Sequence, residues 1–255
     1  MEPENAAVVA SEPVIIFEDD AVLVIDKPTG WLTHEDTKTE APTVVEWFLA
    51  RCPAAAGVGE PGYAHDGSEL NRAGIVHRLD RETSGLLVLA KTAEAHTHLK
   101  AQFHDRLVRK EYRAFVYGRL NERWGTIDRP IGRSAKDPRR RSAERGAKGT
   151  LRSAITDYER IGVGEYGGEA FSYAKLIPKT GRTHQLRVHL RAIDRPIVGD
   201  TLYATHKLTH SNNLGLTRLA LHAHVLDITL PDGEQHRFIA PVPREFDEAA
   251  ERIAE

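Results

Sequence analysis

Cysteine is almost absent. Cys52 is the only one in 255 residues, which excludes a disulfide within the chain and any zinc cluster built on thiolates. No apolar run approaches the roughly 20 residues that a membrane helix needs. The first 14 residues carry Glu2, Glu4 and Glu12 but no Lys or Arg, so the pattern of a signal peptide is missing too. No Gly/Ser linker, internal repeat or low-complexity block divides the chain. What remains is the composition of a soluble globular protein of a reducing compartment, expected in the cytoplasm and long enough to bury a sizeable core.

Charge is present but unevenly placed. The formal net charge is −2, yet residues 129–152 hold nine Lys and Arg against Asp137 and Glu144 alone. Arg106, Arg109, Lys110, Arg113 and Arg119 precede them, opposed only by Glu111. Acidic side chains collect towards the two ends. This layout concentrates positive potential and suits a polyanion; a solvated basic loop without a partner is the other reading, and composition leaves both open.

The pattern of apolar residues predicts strands at Val22–Asp26, Gly85–Lys91, Glu111–Tyr117, Ala154–Arg160, Ser172–Ile177, His224–Leu230 and Gln235–Ile239. Asp232-Gly233 marks a hairpin between the last two. Helices are predicted at Thr43–Arg51, Ala93–Arg106, Thr183–Ile193 and Arg244–Ala254. Residues 53–74 and 132–150 read as loops, and residues 1–14 as a flexible acidic tail. Strands on short turns with irregularly spaced helices predict one α+β domain over 15–255 with a largely antiparallel sheet.

Three segments carry candidate chemistry. In His77-Arg78-Leu79-Asp80-Arg81-Glu82-Thr83-Ser84-Gly85, a carboxylate sits between two arginines at an expected strand–turn–strand corner, after Ile75 and Val76. A rigidly held, ionised aspartate can act as a nucleophile; a turn whose Asp caps nearby amides is the plainer reading. On the helix Thr183–Arg191, Leu186, Leu190 and Ile193 share one stripe, while His184, Arg187 and Arg191 share another. Thr183 is positioned to cap the helix, and its first amides with Arg182 and Lys179 suggest a phosphate site. An amphipathic surface helix with a basic side explains the same residues. In Lys110-Glu111-Tyr112-Arg113-Ala114, strand alternation places Tyr112 with Ala114, where its ring could stack on a base or fill a core.

These segments resemble, in order, the motifs of the RluA-type pseudouridine synthases. Residues 77–85 match the H-R-L-D-x-x-T-S-G signature, and Asp26-Lys27-Pro28-Thr29-Gly30 resembles the early K-P-x-G motif. Lys110-x-Tyr112-x-Ala114 is similar to the tyrosine strand. Pro178–Leu190 with Pro196–Asp200 and Tyr203 matches the third motif, and Arg218–Ala223 the strand after it. The resemblance spans roughly residues 15–245. It implies the pseudouridine synthase fold: a large, mainly antiparallel central sheet flanked by helices and loops, with an RNA-binding cleft. With a short stretch before residue 15, the resemblance implies, as an expectation, the members that lack an accessory RNA-binding domain at that end.

The implied reaction breaks the N1–C1′ bond of a uridine in RNA, turns the base and joins C5 to C1′. It conserves composition, so the resemblance implies no cofactor and no metal. By the same resemblance Asp80 is the catalytic carboxylate, Arg187 the arginine that pairs with it, and Tyr112 the residue that stacks on the base and is a candidate to take the C5 proton. Attack at C1′, addition at C6 and deprotonation at C2′ all remain open for Asp80. Arg78 is matched to holding the flipped nucleotide, which must leave its stack to be reached; Arg182 and His184 are assigned to the RNA strand beside it. Structured ribosomal or transfer RNA is the expected partner, with no DNA and no membrane, for a monomer. Two other classes fit the residues less well. A metal hydrolase built on His222-x-His224, or on His184 with His189, lacks a third ligand in the first case, and the second pair diverges around its helix. A non-catalytic RNA-binding or chaperone protein of the same fold would be free to lose Asp80, Tyr112 and Arg187, and all three are present.

Overall fold

The computed structural model describes residues 11–35, 40–63, 67, 69–143, 146–205 and 212–254. Most of the expected acidic tail, and Glu144 and Arg145 of the basic segment, lie outside these residues. The chain forms two compact units, residues 1–96 and 97–255.

In the first unit, strands β1 (Val14–Glu18), β2 (Val22–Lys27) and β5 (Ser84–Ala90) make an antiparallel sheet in the order β1-β2-β5. The Asp19 carboxylate makes the first turn, accepting the amides of Ala21 at 2.8 Å and Val22 at 2.6 Å. All of β5 and nearly all of β2 are buried, which fits their unbroken apolar sequence. Helix α1 (Val44–Arg51) starts where expected, because Thr43 and Glu46 form a capping box worth about 1 kcal/mol. It buries Phe48 completely. The predicted loop 53–74 is partly ordered: Pro53–Gly57 is a 3₁₀ turn, and β3 (Gly62–Tyr63) pairs with β4 (Glu69–Leu70). The strand expected at Ile75 and Val76 is reduced to one bridge between Ile75 and Leu89. Helix α2 (Ala93–His104) leads into the second unit.

The second unit contains β6 (Arg109–Tyr117), β7 (Trp124–Asp128), β11 (Ile155–Tyr166), β12 (Glu169–Pro178), β13 (Leu221–Thr229) and β14 (Gln235–Ile239). Strands β13, β6, β12, β11 and β7 lie side by side in that order, all antiparallel, and β14 pairs with β13 through the expected Asp232-Gly233 turn. The core packs Phe115 flat on Tyr173, ring centroids 4.4 Å apart, and edge-on to Phe246 at 5.6 Å. Helix α3 (Gln185–Ala192) is buried from Gln185 to Leu190, and α4 (Arg244–Arg252) covers Phe246 and Ala249. The α+β class with antiparallel sheets is therefore the observed one.

The predicted basic loop 132–150 is a correction. It folds as a separate antiparallel sheet of β8 (Ile131–Ser134), β9 (Arg141–Ala143) and β10 (Ala147–Arg152), in the order β10-β8-β9. Ile131 and Ala143 join Ala154, Val188 and Tyr203 in a small core. Burial of two residues against a neighbouring element, rather than alternation along the strands, is what fixes this sheet.

Candidate active site

Asp80 is half-buried on a loop whose backbone is anchored on both sides of it. The Thr33 hydroxyl donates to the carbonyl of Leu79 at 2.9 Å and accepts its amide at 3.2 Å. The carbonyl of Arg81 accepts the Gly30 amide at 2.8 Å, and that of Glu82 accepts the Thr29 hydroxyl at 2.9 Å. Lys27 has no exposed surface. Its ammonium donates to the carbonyls of Pro28 and Trp31, each at 2.9 Å, and of Arg81 at 3.3 Å. A buried ammonium is costly unless its donors are met; here they are met by the two loops it ties together. Ahead of Asp80, the His77 ring accepts the Val88 amide on Nε2 at 3.0 Å, so that nitrogen carries no proton. The early K-P-x-G segment is thus the support of the aspartate loop, a role the sequence did not disclose.

The two arginines beside Asp80 differ. Arg81 grips Glu82 through Nε at 3.1 Å and Nη2 at 3.0 Å. Arg78 is exposed and donates to His34 Nε2 at 3.4 Å.

In the second unit Arg187 is buried rather than on a solvated helix face. Its Nε and Nη2 each meet a different oxygen of Asp200 at 2.8 Å, a bidentate pair of the strong kind. Asp200 also accepts the amides of Leu202 and Tyr203, each at 3.0 Å. The Tyr203 ring lies 5.2 Å from the Arg187 guanidinium. Its hydroxyl accepts the Arg141 amide and is hydrogen-bonded to His184 Nδ1, both at 2.8 Å. Asp200 and Tyr203 stand in the matched motif, but the pairing of Asp200 with Arg187 is not readable from spacing.

Thr183 does not cap α3. The N-cap is His184, in the left-handed region at φ 56° with no side-chain cap bond. Gln185 takes over: its Oε1 accepts the Thr180 hydroxyl at 2.7 Å and the Arg182 amide at 3.0 Å, and its Nε2 donates to Ile155 O and Thr156 Oγ1, both at 3.0 Å. Arg182 donates to the carbonyl of Ser153 at 3.1 Å, and Lys179 pairs with Asp157 at 3.3 Å. The expected phosphate site at the helix start is therefore partly filled by protein acceptors. One turn on, buried His189 bridges Thr156 Oγ1 and the Arg129 carbonyl, both at 2.9 Å, and burial lowers its pKa. These bonds lock α3 against β11.

Tyr112 is half-buried in the middle of β6, between Leu176 of β12 and Ala223 of β13. His222 and His224 are adjacent, with ring centroids 6.3 Å apart. Burial drives His222 down to about 3 and lowers His224 as well. Among the described residues no group of three His, Cys, Asp or Glu side chains is arranged to hold a metal ion, and no helix is long and apolar enough to cross a membrane.

An α+β enzyme that presents an aspartate on a braced loop is the class this architecture defines. The family model for RNA pseudouridylate synthase matches residues 21–192. An RNA pseudouridine synthase of Synechocystis is 38% identical over 237 residues, covering 91% of this chain and 66% of that protein; the chain thus spans about two thirds of that relative. The ribosomal large subunit pseudouridine synthase D of Pseudomonas aeruginosa is 35% identical over 91% of this chain and 69% of its own length. Among solved structures, human RNA pseudouridylate synthase domain containing 1 superposes with a TM-score of 0.72 at 28% identity, over 95% of this chain and 87% of that one. The chain belongs to the RNA pseudouridylate synthase family. Its reaction is the isomerisation of uridine to pseudouridine, and its substrate is RNA.

Proposed function

We propose that this chain modifies uridines of large-subunit ribosomal RNA, with Asp80 as the essential carboxylate. The braced loop around Asp80 carries the reading: Leu79, Arg81 and Glu82 are each hydrogen-bonded through the backbone, which is the support a positioned catalytic group needs. Similarity to relatives named for the ribosomal large subunit supports the choice of RNA. Transfer RNA is the second substrate to test.

In this reading Asp80 acts at C1′, C6 or C2′ of the flipped uridine. Arg187, held by Asp200, is the partner that aims the aspartate. Tyr112 stacks on the base and takes the C5 proton once the new bond has formed. Arg78, exposed beside the aspartate, holds the extruded nucleotide, and Arg182 and His184 face the flanking strand. The same reading makes the protein a cytoplasmic monomer that requires no redox equivalent, because the product is an isomer of the substrate.

The test is pseudouridine mapping by carbodiimide labelling and reverse transcription on total RNA from cells with and without this gene. A large-subunit position lost on deletion, and restored by the wild type but not by Asp80→Asn, is the expected result. No changed position in ribosomal or transfer RNA would leave the chain an RNA binder rather than a modifying enzyme at those sites.

A further inference from the structure

The second unit contains a hollow of about 760 Å³ between β9 and the C-terminal end of α3. Asp80, Tyr112 and Arg187 do not line it, so the reaction as read above does not use it. Its volume lies within the ~300–1,000 Å³ typical of small-molecule sites.

The lining has two characters. Val188, Ala143 and Ala192 give an apolar wall, and Val188 and Ala143 belong to the small core that fixes the β8–β10 sheet. Two of these three are alanines, and their small size is what leaves the space. The rest of the lining is polar, with Ser134, Ser142 and Tyr203, and mostly charged, with Arg129, Lys136, Arg140, Arg141 and Arg191 against Asp137 and Asp194. The two carboxylates are engaged: Asp137 accepts Arg139 Nη2 at 2.8 Å and lies 3.3 Å from Arg140 Nε, and Asp194 meets Arg191 Nη1 at 2.9 Å. Arg129 is fixed by the Ala192 carbonyl at 2.8 Å. Among the described residues, Lys136 and Arg141 meet no carboxylate. The hollow therefore carries net positive charge over an apolar wall, the combination that suits a phosphate joined to a flat, poorly hydrated ring.

We propose that this hollow holds one unstacked nucleotide of the substrate RNA, distinct from the target uridine, with its phosphate among Arg140, Arg141 and Arg191 and its base against Val188 and Ala192. The proposal rests on the RNA-modifying reading for the identity of the strand. Proteins that recognise folded RNA read splayed bases and the phosphates beside them. The occupant would also touch Tyr203, which lines the hollow and packs on Arg187.

The experiment is backbone-amide NMR on the full chain, titrated with uridine 5′-monophosphate and, separately, with uridine and inorganic phosphate. The nucleotide is expected to shift the amides of Ala143, Val188 and Ala192 at lower concentration than either half does. Ala192→Phe, which fills the hollow and keeps every charge, should abolish those shifts. The same variant should weaken binding of a fluorescein-labelled RNA hairpin by about tenfold, as expected for the loss of one base contact. Equal shifts with phosphate alone would reduce the hollow to an anion patch, and unchanged hairpin affinity in Ala192→Phe would overturn the proposal. The functional reading fails separately: it falls if the wild type makes no pseudouridine while the nucleotide still binds and is still blocked by Ala192→Phe.

Discussion

The Lys27 ammonium reaches the Arg81 carbonyl at 3.3 Å, joining the turn after β2 to the residue that follows Asp80. The same ammonium holds the carbonyls of Pro28 and Trp31, so one buried side chain fixes the path of two loops. Lys27→Met keeps the shape and removes the three bonds. Expected outcomes are a loss of about 3 kcal/mol of stability, from carbonyls left buried and unpaired, and faster hydrogen exchange at the amides of Gly30 and Leu79. Unchanged exchange at both amides would show that the loop holds its shape without the lysine.

Asp80→Asn changes charge and not size. Turnover is expected to fall at least about a thousandfold, as when a nucleophile is lost, while affinity for RNA stays within a few-fold. Measurement of both on one RNA decides it, and residual turnover well above that level removes Asp80 from the essential role.

Tyr112→Phe keeps the ring at its place on β6 and deletes the hydroxyl. If that oxygen takes the C5 proton, product release of tritium from C5-labelled RNA slows by about a hundredfold with near-normal binding. Full activity would mean that the ring alone is used.

Asp200→Asn leaves the Arg187 guanidinium buried against a neutral amide. Removing one charge of a buried pair costs about 3 kcal/mol, so a lowered Tm is expected. The positioning role predicts a drop in kcat larger than any rise in KM, with partial recovery in Asp200→Glu. A fall in Tm with kcat unchanged would confine Asp200 to stability.

His222 provides the pH test. Burial depresses it from 6.5 to about 3, so the unfolded chain binds a proton that the folded one refuses. The sign follows: stability is full above pH 6.5 and falls as the pH drops towards 3. The slope from this residue is about 1.4 kcal/mol per pH unit. His189 and His224 are shifted in the same direction and add to it. Urea unfolding between pH 6 and pH 5 should show the dependence, and His222→Gln should reduce it by about one proton. An equal slope in the variant would assign the effect to other groups.

The buried, continuously apolar strand β5 is legible from sequence, and β14, polar at three of its five positions, is legible through the Asp232-Gly233 turn before it and has its expected bounds. The family motifs also point to Asp80, Tyr112 and Arg187. Hidden features were those decided by partners far along the chain. Strand β10 is exposed almost throughout, with a register shift between Lys148 and Arg152, so no alternation marks it. Val14–Glu18 is too short an apolar run to separate from a coil. Arg187 looked like part of a basic helix face because periodicity cannot reveal Asp200, which comes from the following turn. Thr183 looked like a cap because nothing in the sequence says that His184 adopts a left-handed backbone.

That conformation at His184 has a consequence for how the chain can change. A non-glycine residue in the left-handed region bears about 1 kcal/mol of local strain, and glycine would relieve it. Yet glycine would also take away the imidazole that is hydrogen-bonded to the Tyr203 hydroxyl. Selection for thermal robustness alone would therefore drift position 184 towards glycine or asparagine, and if the proposed RNA contact of His184 is used, selection for turnover would hold the histidine. Libraries screened on each property separately should part company at this residue before most others.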